Sequence, residues 1–258
     1  MPQPPRRPAR APARSAASGR ATSRATGAEP RLDHVSTAYQ ELRRIIVWGQ
    51  LTPGARISER TIADRLSLSR TPVRSALHRL EQEGFISAVG TGRDRRLIVS
   101  PLTVGDGVEV FTIVGHLEGL AARTAARLPA PRRKSLAGKL RSVNADLAKQ
   151  ATKKGSAVRF FELDIEFHRL YVEGVVGPRV LTLHRAIKPQ SERYIRLYVS
   201  VLVDQIATSV REHEKIAASI ARGDPDAAQH AVEMNWRNAA DRLAEIISQL
   251  GERGSWHV

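Results

Sequence analysis

Apolar side chains recur at Val35, Tyr39, Leu42, Ile45 and Ile46, a spacing that predicts a helix over residues 34–49 with one buried face. Gly49 and Pro53-Gly54 then turn the chain. Ser58 is a suitable N-cap for a second helix reaching about Leu66, with Ile62, Ala63 and Leu66 inward. A Ser67-Leu68 turn leads to Ser69, which opens a third helix running to Glu83. Val73, Leu77 and Leu80 form its apolar stripe, while Arg70, Thr71, Arg74 and His78 face the other way. Pro72 sits in the first turn, where a missing N–H costs nothing, and Gly84 ends the helix. Phe85–Val89 and Leu97–Val99 read as short strands joined by the tip Gly90-Thr91-Gly92-Arg93. Pro101 ends this hairpin. From Thr103 onward the pattern is helical, with six helices predicted at about 104–128, 132–153, 157–174, 178–203, 205–222 and 224–250. Pro129, Pro131, Gly155, Gly177-Pro178 and Gly223 separate them, and Asp224 is the N-cap of the last. In the first of the six, Val108, Phe111, Val114 or Gly115, and Leu117 are expected inward.

Composition narrows the classes. With hydrophobic residues at 41% and aromatics at only 5%, a real core must be built from Leu, Ile, Val and Ala. Cysteine is absent, which excludes disulfides and thiol catalysis and fits a reducing cytoplasm. No apolar run approaches the roughly 20 residues that span a bilayer, so no membrane partner is expected. Residues 1–33 are rich in Pro, Ala, Arg and Ser and lack the apolar stretch of a secretory signal. They read as a disordered basic tail, serving either as a sequence-independent grip on phosphates or only as a solubilising segment.

The net charge of +15 points to a polyanionic partner. Seven Arg face two acids in residues 1–33, eleven face six in 34–100, and twenty-three Lys or Arg face eighteen in 101–258. The same excess is therefore far denser in the first two segments. No Lys precedes Lys134, and Arg suits bidentate contacts to phosphate and guanine. Basic residues sit together at the N-terminus of the third helix, at the hairpin tip and in the tail. That is the pattern of a winged helix-turn-helix, in which the second helix of the motif offers base contacts near its N-terminus and a basic tip reaches a neighbouring groove. A generic helical subdomain with solvated arginines does not explain why all three places carry Arg.

The run from Tyr39 to Ile86, with the string SRTPVRSAL at 69–77, resembles the winged-helix domain of the GntR family of bacterial transcription regulators. The resemblance implies that Arg60, Ser69, Arg70, Thr71 and Arg74 contact DNA and that the wing around Gly92 and Arg93 enters the minor groove. By chemistry, Arg70 and Arg74 are the better candidates for guanine or phosphate. HLEGLAARTAA at 116–126, ELDIEFHRLY at 162–171 and EHEKIAASIARGD at 212–224 are similar to the FCD-type ligand-sensing domain of the FadR branch, in its six-helix VanR-like subgroup. The expected fold is mainly α: a basic tail over 1–33, a winged helix-turn-helix over 34–100, an all-α six-helix antiparallel bundle for effector binding and dimerisation over 101–251, and a frayed end at 252–258.

Asp164 and His168 are four apart and project from one helix face. With His213 from a later helix they form a set that suits one divalent metal of the Zn, Mn or Ni class, or else a hydrogen-bonded polar cluster. The family pattern adds a second histidine twelve residues after the Gly of the Gly-Asp turn, where this chain has Asn235. His230 is five residues away, about 140° around a helix, and is a poor substitute. Relatives also place an Arg four residues before Glu118 to hold a carboxylate effector, and here that residue is Val114. Arg193 and Arg196 are alternative sources of positive charge for an effector. No hydrolase motif such as HExxH occurs, so a metalloenzyme is the less favoured reading. The function expected is that of a cytoplasmic, bacterial, nucleoid-associated repressor. Its partners are a pseudo-palindromic operator in double-stranded DNA, a second copy of the chain, and a small-molecule effector, with a carboxylate metabolite among the candidates. The competing reading is an architectural DNA-binding protein with a degenerate sensor.

Overall fold

The computed structural model describes residues 33–152, 157–202 and 205–255; among them are nine α-helices and three short strands. The tail expected over 1–33 lies, except for Asp33, outside the described residues, as do Gly155 and residues 256–258. In helix α1 (His34–Val47), Asp33 Oδ1 accepts the Val35 N–H at 3.1 Å, and Tyr39, Leu42, Ile45 and Ile46 are buried. Helix α2 (Glu59–Leu66) starts at Ser58, whose hydroxyl accepts the Thr61 N–H at 3.3 Å. It ends on Ser67 at φ 54°, a left-handed residue that turns the chain sharply into α3 (Arg70–Gln82). Val73, Ala76, Leu77 and Leu80 of α3 close a core with α1 and with Phe85, Ile86 and Val99. Each large side chain there contributes about 1.5–3 kcal/mol by leaving water.

The wing is a three-stranded antiparallel sheet in the order β1 (Arg56–Ile57), β3 (Arg96–Val99), β2 (Ile86–Val89). Ile57 pairs with Leu97, and Ile86 pairs with Val99. The hairpin β2–β3 was legible in the pattern. Strand β1 was not, because two residues carry no periodicity; it forms by filling the open edge of β3.

Six helices follow: α4 (Val104–Ala126), α5 (Ala130–Thr152), α6 (Ala157–Val172), α7 (Pro178–Leu202), α8 (Ile206–Arg222) and α9 (Pro225–Leu250). Helix α4 runs along α9 and also meets α6, α7 and α8, while α5 lies on α6 and α8. The close approach of α4 to α9 depends on Gly115, where a Cβ would stand 2.8 Å from Trp236 Cβ. The buried arc of α4 differs from the expected one. Val108 faces solvent, Leu117 is half-buried, and both Val114 and Gly115 are inside. The arc is centred on Val114 and Glu118, and a glutamate at the middle of a buried face defeats a reading based on apolar spacing.

A second difference concerns residues 252–255 of the end expected to fray. Leu102 and Arg253 exchange backbone hydrogen bonds of 2.8 and 3.1 Å, and Glu252 Oε1 accepts the Val104 N–H at the start of α4. The linker strand at Leu102 has otherwise unpaired backbone groups, and residues 252–255 supply the partners. Gly254 then abuts Gly54; a Cβ on Gly54 would stand 2.8 Å from Gly254 Cα, and both glycines have φ of +78°. Gly254→Val is expected to lose about 1–3 kcal/mol of stability in urea unfolding, through strain at positive φ and collision with the turn at Gly54. An unchanged midpoint would show that the tail does not hold this turn.

Candidate functional site

The exposed side of the N-terminal half collects the residues singled out for DNA. Ser69 is the N-cap residue of α3 by conformation, yet its hydroxyl makes no capping bond and is left for another partner. Arg70 and Thr71 follow it and are exposed, at the end of a helix whose free N–H groups favour phosphate. Arg74 is also exposed but is held in place by Glu59. Its Nε lies 3.1 and 3.2 Å from the two carboxylate oxygens and its Nη2 lies 2.9 Å from one of them. Arg60 is exposed and loosely paired with Asp64 at 3.9 Å. Gly92 and Arg93 lie in a 3-10 turn, Gly92–Asp94, at the exposed wing tip. Gly90 permits that turn, since a Cβ there would stand 2.6 Å from Asp94 O. An ion pair of 2.9 Å between Arg95 and Glu81 ties the wing to α3. The sequence did not announce Glu59 and Glu81 as the groups that orient this surface.

In the helical half, Asp164, His168 and His213 come together as expected: one ligand-type atom from each lies within 4.8 Å of the others. The His213 imidazole is fully buried and stacks on Phe167 at 3.9 Å between ring centroids. Neither of its nitrogens has a hydrogen-bond partner, although Nε2 lies 3.6 Å from Asp164 Oδ1. Burial, reinforced by His168, holds its pKa well below the ordinary histidine value, so the ring is neutral. An orphaned neutral imidazole beside a carboxylate and a second histidine is a donor set that fits a divalent cation. His168 points Nδ1 at Glu118 Oε2, 2.6 Å away, which leaves its other nitrogen for the cluster.

The fourth position does not join. Asn235 Nδ2 donates to Glu212 Oε2 at 2.8 Å, and the same carboxylate takes Asn238 and Arg242. His230 is exposed on α9 and lies outside the cluster. Arg193 and Arg196 do not face the cluster either. Both sit where α7 meets the N-terminal half, with Arg193 Nη2 on Ser100 O at 2.7 Å and the Arg196 guanidinium 3.5 Å over the Trp48 ring.

What spacing did not single out is the hub behind the cluster. Glu118 is completely buried and accepts from His168, Tyr171 (2.9 Å), His184 (2.9 Å) and Trp236 (2.9 Å). The Lys188 ammonium lies 3.4 Å from its other oxygen and 4.2 Å over the Trp236 ring, but makes no hydrogen bond. Burial by itself would raise the Glu118 carboxyl. Lys188, His168 and His184 outweigh it and hold the pKa well below the usual carboxylate range. A lone acid between Gly115 and Gly119 on an otherwise apolar face, with His184 and Lys188 four apart on α7, was the available signal. Glu118→Leu leaves Lys188 buried without its counter-charge and is expected to cost about 3–5 kcal/mol. Thermal unfolding checks this, and a loss below about 1 kcal/mol would show that the hub is not an ionic centre.

Among the described residues no helix is long and apolar enough to cross a membrane. Residues 34–92 match the family described as bacterial regulatory proteins, gntR family, and residues 109–238 match the FCD domain. An uncharacterized HTH-type transcriptional regulator in an unstable DNA locus of Streptomyces ambofaciens is 30% identical over 217 residues, spanning 83% of this chain and 86% of that protein. A probable D-xylose utilization operon transcriptional repressor of Paenarthrobacter nicotinovorans is 28% identical over 205 residues, spanning 76% and 84%. The solved structure of E. coli McbR/YncC shares the fold, with a TM-score of 0.63 at 17% identity over 84% of this chain and 99% of that one. These relatives are transcriptional regulators, not enzymes, and the chain belongs to the gntR family of bacterial regulatory proteins, as a transcriptional regulator whose helical half is an FCD domain.

Proposed function

We propose that the protein is a cytoplasmic repressor that binds a pseudo-palindromic operator as a homodimer and is controlled by a small carboxylate effector at the Asp164–His168–His213 cluster. A cation of the Zn, Mn or Ni class at that cluster would supply a Lewis-acidic anchor for an oxyanion ligand. The chain's own residues do the rest. Glu118 orients His168, and Phe167 seals one face of His213 from water. The D-xylose operon relative supports the repressor sense.

The observation that carries the reading is the double attachment of α7. On one side His184 and Lys188 grip Glu118, the residue that orients His168. Half a turn to a turn and a half further on, Gln190 Nε2 donates to Glu83 O at the end of α3 at 2.7 Å, and Arg193 bonds Ser100 O. The Arg43 guanidinium returns a bond to Arg185 O of α7. A ligand that moved the cluster would therefore pull on the end of the recognition helix. A coupling of about 1–3 kcal/mol is enough to regulate.

For operator binding, Arg70→Ala is expected to weaken specific binding by about 1–3 kcal/mol with little change on random DNA. Footprinting at moderate salt reads this out, and equal affinity of the wild-type protein for operator and random sequence would sink the repressor reading. For the cluster, protein purified without chelator is expected to carry one divalent ion per chain by elemental analysis, and His213→Ala to lose it. Chelation is expected to lower the Tm by the linkage of binding to folding. Metal-free protein with an unchanged Tm in chelator would remove the metal from the proposal.

A further inference from the structure

The junction between the two halves contains a cleft of about 200 Å³ with no assigned role. Its wall is apolar, from Val47, Pro53, Leu102 and Leu197, with Trp48 half-exposed at its rim. Two guanidinium groups of α7, Arg193 and Arg196, line the same space. Arg193 is 4% exposed, and its bonds go to the neutral oxygens Gln190 Oε1 and Ser100 O. Arg196 is sandwiched between the Trp48 ring and the Phe161 ring at 3.5 and 4.1 Å. It makes no hydrogen bond or ion pair with any described residue, and its buried Nε is unpartnered. No carboxylate among the described residues reaches ion-pair distance of either group. The carboxylates that act from a distance are Glu192 and Glu162 on Arg196 and Asp106 on Arg193, and burial shifts Glu192 toward its neutral form. The C-terminus of α1 offers roughly half a negative charge, which offsets only part of two full positive ones. Arg193 is buried and Arg196 half-buried, and neither has an ion-pair partner among the described residues, so two guanidinia against an apolar wall leave a deficit that an anion would fill.

We propose that this cleft is a second ligand site, taking a small carboxylate with an apolar body between Arg193 and Arg196. The carboxylate spans the two guanidinia with charge-assisted hydrogen bonds, and the body lies against Leu102 and Leu197. The site is separate from the Asp164–His168–His213 cluster and does not depend on it. An occupant would touch the end of α1 and α7 at once, so occupancy fixes the angle at which the N-terminal half is presented. Two such halves in a dimer must match the spacing of their half-sites, so the ligand would act on operator affinity.

Isothermal titration of the full chain with benzoate, in buffer of matched ionic strength, tests this. Saturable binding at one site per chain is expected, at least tenfold weaker in Arg196→Gln. Leu197→Phe narrows the cleft at a partly exposed wall position without touching a charge, and is also expected to weaken binding at least tenfold. His213→Ala is expected to leave it within twofold. Absence of saturable heat, undiminished binding in Leu197→Phe, or loss of binding in His213→Ala would each overturn the proposal, the last by placing benzoate at the helical cluster. Tighter binding of inorganic phosphate than of benzoate would overturn the assignment to a carboxylate.

Discussion

A single buried carboxylate, Glu118, ties together four helices of the helical half. It sits on α4 and is met by α6 through His168 and Tyr171, by α7 through His184 and Lys188, and by α9 through Trp236. Removing a charge from water is costly, and that cost is offset here because Oε2 takes three donors while Oε1 takes His184 with the Lys188 ammonium beside it. The arrangement is therefore intolerant of small shifts: four helices must keep their relative positions for the carboxylate to stay satisfied. Gly115 and Gly119 make this possible by letting α9 approach closely enough for the Trp236 indole to reach it.

That constraint gives α7 its place in the molecule. One stretch of the helix is pinned to the buried hub, and the next is pinned to backbone carbonyls of the N-terminal half. Side chains that bond carbonyl oxygens at Glu83 and Ser100 read backbone position rather than side-chain identity. The junction therefore fixes the position of the chain itself. Residues Glu252–Arg253 add a second tether, through Leu102 and Val104, at the point where the linker enters α4.

The exposed arginine surface of the N-terminal half is organised by different physics. Its arginines are exposed, so their mutual repulsion is screened and their desolvation is left to the complex. Glu59 and Glu81 orient Arg74 and Arg95 without cancelling Arg70 and Arg93. Ser69 carries a free hydroxyl beside them at a helix N-terminus. Such a surface suits phosphate oxygens.

Much of this was legible in the residues alone. Amphipathic spacing located the helices of the N-terminal half and the six that follow, because each buries one face and the period of burial is written locally. The Asp164–His168 pair was legible for the same reason, since four residues on a helix fix a shared face. His213 lies on a later helix that a bundle could bring opposite, and three-dimensional packing supplied the distance. Spacing gave no means of recognising Glu118 as a hub, because an acid on a buried face looks like an error of register until its partners from other helices are seen. Asn235 is turned to Glu212 by a contact between α8 and α9, not by anything in its neighbourhood on the chain. Arg193 and Arg196 could be seen as basic residues of α7, but which space they face depended on where α1 docks. The sequence by itself determined the helices, most of their buried faces and the chemistry of the exposed arginine surface, since these depend on neighbours within a turn or two. Tertiary structure alone decided which charges are buried, what satisfies them and what joins the two halves, because electrostatic compensation is set by distance in space rather than along the chain.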